Sequence, residues 1–269
     1  MSGWTLRPKQ TPALRVDLRG VTPSVLGALA ASEVERLPVG YGNALVPLAE
    51  FFAFEKRSDD ALVFSADLAR FDRVGWQTDA GCIVVEGNVG DYAGAAMQGG
   101  VLDVRGGARD LAGCEMAGGT LTIAGSAGDF VAGTLPGSME GMRGGTIVIR
   151  GKAGARLGDR MRRGSVVVHG DVGDFVGSRL VAGTIAIGGG AGAHGGYGMR
   201  RGSIVFAGST PAAAPTFVPA GADAPVFWQL LARDIALHGG VFAGLPARAF
   251  DRHLGDLAAD GKGEWIVAR

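Results

Sequence analysis

Residues 146–208 decide the fold: TIVIRGKAGARLGDRMRRG (146–164), SVVVHGDVGDFVGSRLVAG (165–183), TIAIGGGAGAHGGYGMRRG (184–202) and SIVFAG (203–208). The units align without a gap. Each opens on an alternating apolar run that a glycine closes, at Gly151, Gly170, Gly189 and Gly208. The same closing glycine recurs upstream at Gly87, Gly106 and Gly125, so the spacings are 19, 19, 26, 19, 19 and 19. The exception is one period plus a seven-residue insert, 134–140. A further unit is legible with the strand 82–86, and a weaker one at 62–66.

Other positions keep the register. Gly94, Gly113, Gly158, Gly177 and Gly196 share one place, with Ala132 in the remaining unit. Met97, Met116, Met142, Met161, Leu180 and Met199 share a second, and Gly100, Gly119, Gly145, Gly164, Gly183 and Gly202 a third. Within the runs, Leu102, Leu121, Ile147, Val166, Ile185 and Ile204 occupy one position. Val104, Ile123, Ile149, Val168, Ile187 and Phe206 follow two residues later. Period-2 alternation puts both sets on one face of a strand, and the residues between them on the other. A unit this short cannot bury its apolar face alone, whereas stacked units form a continuous core. The expected fold is all-β: a right-handed parallel β-helix of about seven 19-residue rungs with small α/β flanking segments. Glycines are expected where each coil turns or where backbones come close.

Composition excludes several alternatives. Of 269 residues 48 are Gly, and 34 of these lie between Gly87 and Gly208 without a Gly-X-Y period, so collagen is out. Lys+Arg and Asp+Glu balance at 26 each, which argues against a dedicated nucleic-acid binder. No run reaches the ~18 apolar residues of a spanning helix, and no secretory signal is visible. Cys82 and Cys114 form neither a disulfide framework nor a zinc motif. A cytoplasmic protein with no membrane and no nucleic-acid partner is expected. The chain divides into a cap or docking segment (1–60), the repeat (61–208) and a linker with a docking tail (209–269). The first part carries a strand at 13–18 and a helix at about 22–36, with Thr22 as N-cap and Pro23 at its first position. The last carries an Ala/Pro linker at 211–225 and a helix at 226–238.

Chemistry is sparse. His169 ends a strand on the outward face. His194 sits where other units have Tyr92, Leu111, Phe130 and Phe175, and so joins an apolar stack rather than ligating. GAGAHG at 190–195 matches the spacing of a dinucleotide loop, but a strand follows it and the repeat already explains its glycines. Asp91, Asp110, Asp129 and Asp174 recur at one position and read as a turn device on backbone N–H groups rather than a cation site. No catalytic or metal-ligating residue is expected. Arg143, Arg162, Arg163, Arg200 and Arg201 fall at the two positions before the pre-strand glycine, interrupted by Val181-Ala182. Stacking places them in one column, with Arg150, Arg156 and Arg160 on neighbouring faces. The column reads equally as a solvated basic edge or as a binding site for an anionic ligand or an acidic partner, because guanidinium forks onto carboxylates.

The repeat, seen in GSAGDFVAG, GSMEGMRGGTIVIRG and GDVGDFVGSRLVAGTIAIGG, resembles the glycine-rich β-helix of the formylmethanofuran dehydrogenase C subunit, shared with the C-terminal domain of glutamate synthase. LPVGYGNALVPLAEFF (37–52) and the insert region are similar to the dehydrogenase branch. The tail GDLAADGKGEW looks like its bacterial version, the C subunit of the formyltransferase/hydrolase complex of methylotrophs. The resemblance implies a structural subunit without catalytic residues. The complex would move a formyl group from tetrahydromethanopterin to a methanofuran-type carrier and release formate. It also implies amidohydrolase-like, formyltransferase and molybdopterin-type partner subunits. Zinc and the carrier would lie in those partners, and the arginines would suit a glutamate-rich carrier tail. The alternatives are the C subunit of a redox-active molybdenum or tungsten dehydrogenase, and a free-standing glutamate-synthase-type interaction module.

Overall fold

The computed structural model describes residues 3–221 and 225–269; positions 222–224 of the linker expected at 211–225 thus lie outside the described residues. The chain is mostly β, dominated by a thirteen-stranded mixed sheet. At its centre run seven strands: Cys82–Val85, Val101–Val104, Thr120–Ile123, Thr146–Ile149, Ser165–Val168, Thr184–Ile187 and Arg201–Phe206. Each pairs in parallel with the next, and equivalent repeat positions face one another: Ile147, Val166, Ile185 and Ile204 are successive partners. Thr120–Ile123 pairs with Thr146–Ile149 across the insert without a slip, so the seven extra residues are looped out of register.

A second parallel ladder of single bridges links Leu68, Val89, Ala108, Ala127, Ala153, Val172 and Ala191, which from Val89 onward stand two places after each closing glycine. The inward strand positions named above are all fully buried, as is the Met/Leu column from Met97 to Met199. Each buried Val, Leu, Ile or Met contributes about 1.5–3 kcal/mol, so the columns form the core.

Glycine is required for two reasons. Gly164 lies at φ +96, and a Cβ there would sit 2.7 Å from the carbonyl oxygen of Gly145 and 2.8 Å from Met142 Cε. At Gly151 the constraint is approach: a Cβ would come within 2.7 Å of the Gly125 carbonyl oxygen. The repeat also holds non-glycine residues in the left-handed region. Tyr92, Leu111, Phe130, Arg156, Phe175 and His194 share one position at φ between 58 and 65, and Ala132 stands at φ 59 where its equivalents are Gly.

The flanks close both ends of the sheet. Trp4–Pro8, which no repeat pattern announces, pairs in parallel with Leu62–Phe64 and antiparallel with Phe52–Lys56. The strand expected at 13–18 shrinks to Val16–Asp17, inside a second, four-stranded sheet. The helix expected over 22–36 is two short ones. Pro23–Gly27 is capped by Thr22, whose Oγ1 accepts from Val25 N–H, and Ala31–Arg36 begins after Ala30 turns to extended backbone. At the other end Lys262–Ala268 adds in parallel to Arg201–Phe206, and Phe250–Gly255 pairs antiparallel with it. Trp265 closes the axis against Phe206 and Phe217, at 4.9 and 4.6 Å between ring centroids.

The residues between the inward positions face outward as expected, and Val167, Ala186 and Val205 among them are buried. The helix Pro225–Ala236 lays Trp228, Ala232 and Ile235 over them, together with Ile266, as a second core.

Gly164→Ala and Gly137→Ala separate the two demands on glycine. A methyl group added at Gly137 (φ +85) would meet no atom within 4 Å, so alanine there should cost only the left-handed penalty of about 1–2 kcal/mol. Alanine at Gly164 adds a clash with backbone and should cost about 1–3 kcal/mol more. Urea unfolding of both variants checks the difference.

Candidate functional site

The arginines are placed by the backbone. Arg143, Arg162 and Arg200 each donate their amide to the carbonyl of the core residue one rung earlier, Met116, Met142 and Leu180, at 2.7–2.8 Å. The preceding residues, Met142, Met161 and Met199, point into the core, so the arginines must point out. Arg143, Arg162, Arg163, Arg200 and Arg201 are all exposed. They line one cleft of about 520 Å³, with Val181, Ala182 and Asp260 completing its walls. All five expected site residues are therefore brought together.

Strands lie ~4.8 Å apart, which puts Arg143 and Arg162 about 5 Å apart along the stack and Arg162 and Arg200 about 10 Å apart. Two like charges at ~5 Å in water repel by about 0.8 kcal/mol. Among the described residues only Arg162 of the five has an ion pair, with Glu140 of the insert at 3.0 Å.

A second cleft, of about 490 Å³, shares Arg162, Val181 and Arg200 with the first and adds Arg160, Arg179, Met139 and Tyr197. Between Arg160 and Arg179 lies Asp159, 5% exposed, with its carboxylate 3.7 and 3.6 Å from the two guanidinium groups. Arg179 stands one period after Arg160 and was legible from spacing alone. The other neighbouring arginines serve elsewhere. Arg156 lies over the Phe130 and Phe175 rings, 5.8 and 4.9 Å from their centroids.

The aspartate column is a backbone device, but one that joins rungs. Asp110 accepts from the Asp129 amide at 2.9 Å, Asp129 from Ala155 at 2.7 Å and Asp174 from Ala193 at 2.8 Å. His194 stacks on Phe175 at 4.7 Å with planes 24° apart, as its place in the aromatic column implies. Among the described residues no three His, Cys, Asp or Glu side chains converge to hold a metal ion. No described helix is long and apolar enough to cross a membrane.

Arg150 and His169 fasten the tail. Arg150 Nη1 lies 2.7 Å from His169 Nε2 and 2.6 Å from the carbonyl of His238, just beyond the C-terminal helix. Guanidinium can only donate, so His169 Nε2 must accept and the ring is neutral. The ring packs edge-on against Phe242. Burial, and then the Arg150 charge, hold the His169 pKa below its ordinary value; burial also lowers that of His238.

The chain belongs to the GXGXG motif family, which residues 56–215 match. It superposes on a chain of the crystal structure of the formyltransferase/hydrolase complex FhcABCD from Methylorubrum extorquens, solved with methylofuran. The TM-score is 0.91 at 40% identity, covering 98% of this chain and 99% of that one. The C subunit of the formyltransferase/hydrolase complex Fhc of the same species is 43% identical over 86 residues, 32% of each chain. The C subunit of tungsten-containing formylmethanofuran dehydrogenase 2 of Methanothermobacter marburgensis is 34% identical over 100 residues, 35% of this chain and 37% of that protein. The matched stretch thus spans about a third of the length of these curated relatives.

The sign of the His169 effect follows from its neutrality. A base whose folded pKa is lowered stabilises the fold fully above its unfolded pKa, near 6.5, and that contribution is lost as pH falls below it. Between pH 7.5 and 5.5 the wild type should lose more thermal stability than His169→Gln, which keeps an acceptor for Arg150 but cannot take the proton. Parallel melting curves at the two pH values check this.

Proposed function

We propose that this chain is the structural C subunit of a formyltransferase/hydrolase complex. The complex moves the formyl group from tetrahydromethanopterin to a methanofuran-type carrier and releases formate. The observation that carries the proposal is the match along nearly the whole chain, flanks included, to a chain of the FhcABCD structure. In this reading the repeat is a right-handed parallel β-helix. The two parallel ladders and the fully buried Ile/Val and Met columns support it. Residues 1–60 and 209–269 cap or dock the helix of 61–208. The partners are amidohydrolase-like, formyltransferase and molybdopterin-type subunits, and zinc and the carrier are held there, in the cytoplasm.

The basic cleft gives this subunit a task besides bracing. Arg143, Arg162, Arg163, Arg200 and Arg201 receive an anion, either the glutamate-rich tail of the carrier or an acidic face of a partner. Nothing in the ladder needs Arg at these places, since Gln98, Ala117 and Val181 occupy the equivalent ones. A second reading, the C subunit of a redox-active dehydrogenase, draws on the tungsten-containing relative. Metal analysis of the co-purified complex separates the two: tungsten or molybdenum at one per complex favours the second.

Purified with its partners, the native chain should co-elute with a formyltransferase and an amidohydrolase-like subunit identified by mass; their absence would sink the assignment. Arg162→Ala with Arg200→Ala should leave the isolated fold intact and weaken carrier binding or assembly. Exposed contacts of about 0–1 kcal/mol each imply up to roughly a 30-fold loss for the pair. The loss should shrink as salt rises, because screening already weakens the wild-type contacts. Wild-type assembly and turnover by the double variant, at low salt and limiting carrier, would reduce the column to a solvated edge.

A further inference from the structure

The insert 134–140 is the one break in the period between Gly87 and Gly208, and it stands beside the arginine column. Its start is tied by the Leu135 amide, which donates to Glu115 Oε1 at 3.3 Å. Its end re-enters the ladder through Gly141 and Met142, whose amides donate to the carbonyls of Arg160 and Ala132, both at 3.0 Å. Between these anchors Glu140 places a carboxylate oxygen 3.0 Å from Arg162 Nη2. Arg162 is shared by the two clefts, together with Val181 and Arg200. Its side chain is 44% exposed and that of Glu140 46%, so water reaches the pair and the carboxylate can be exchanged.

We propose that Glu140 is a built-in competitor for the basic cleft. It holds Arg162 in the free chain and yields it to a carboxylate of the incoming ligand, and so sets an affinity threshold that a ligand must clear with further carboxylates. This rests on the reading of the cleft as an anion site. The chain itself supplies the evidence that Arg162 accepts a carboxylate at hydrogen-bonding distance. A tethered carboxylate acts at an effective concentration in the millimolar range. A monocarboxylate that displaces it exchanges one ion pair for another and gains little. A linear polycarboxylate displaces the same group but also reaches Arg143 and Arg200, one and two rungs away. Among the described residues neither of these arginines has an ion pair to exchange, although Asp260 lines the same cleft.

The test uses the full-length chain with a fluorescently labelled tetraglutamate peptide and a labelled single glutamate, at low salt, read by anisotropy. The variants are Glu140→Gln, Arg162→Ala, their combination, and Arg200→Ala, each checked for an unchanged melting temperature, with Glu140→Ala as a second probe of the insert. Glu140→Gln should tighten tetraglutamate binding about two- to fivefold, the range open to an exposed pair. It should tighten binding of the single glutamate by the same factor or less, so the preference for tetraglutamate stays unchanged or widens. In the Arg162→Ala background Glu140→Gln should change nothing, because there is no longer a shared arginine to compete for. A merely electrostatic effect of removing one negative charge would tighten binding in both backgrounds and overturns the proposal. If tetraglutamate binds, weakens with Arg200→Ala, yet is unaffected or weakened by both Glu140 variants, the competitor is refuted while the anion site stands. If tetraglutamate binds neither wild type nor Glu140→Gln, the anion site fails, and the proposal with it.

Discussion

The structure depends on main-chain hydrogen bonding between successive repeats at contact distance. The closing glycines show it most plainly: the amide of Gly125 donates to Gly106, that of Gly151 to Gly125, and that of Gly170 to Gly151, at 2.8–3.0 Å. At this separation the peptide planes of adjacent rungs leave no room for a Cβ, so a column of glycine runs beside the strand. Everything else is subordinate to this spacing. A residue type chosen at one position in one unit lies against the same position in the next. Each column must therefore be chemically compatible with itself.

Columns differ in how they meet that requirement. Apolar columns are self-complementary, which is why Ile, Val and Met repeat without penalty. The aspartates avoid mutual repulsion by spending each carboxylate on the amide of the following rung. The aromatic column relieves its left-handed backbone with ring stacking and with Arg156 set between two phenyl faces. The arginine column has no such internal solution beyond Glu140, and its members remain at the surface with charge to spare. A rigid row of cations at regular spacing is costly to keep and selective for an anion of matching period. The anion site proposed for the column rests on that combination.

How far the residues announced this follows from the same physics. Register, insert and inward positions were legible because a stacked repeat converts sequence period directly into contact, and so was the convergence of the five arginines. The terminal elements were not. Trp4–Pro8 and Lys262–Ala268 join the sheet by pairing with strands far away in sequence, and no period reports such partners. The burial of Val167, Ala186 and Val205 was not legible, because alternation identifies two faces without saying what covers the second. Arg179 stands singly between Ser178 and Leu180, outside the arginine doublets of the column, and Asp159 is buried beside guanidinium groups whose approach no period reports.

The ends of the ladder bear on where partners can attach. A parallel stack presents an unpaired strand at each terminus, the commonest route to uncontrolled association. Here the first edge is taken over by Phe52–Lys56, which carries Glu55 and Lys56, and the last by Val218–Pro219, where Pro219 lacks a donor. Charge and proline at an outer strand discourage further pairing. The tail is in addition fastened sideways, by Arg150 between His169 and the His238 carbonyl, so the cap does not depend on the terminal strand alone. With both ends closed, what remains open is lateral. On those sides the columns are rigid, evenly spaced and chemically distinct. A protein built this way has a ruled surface, and in its arginine column Arg162 alone of the five has an ion pair among the described residues.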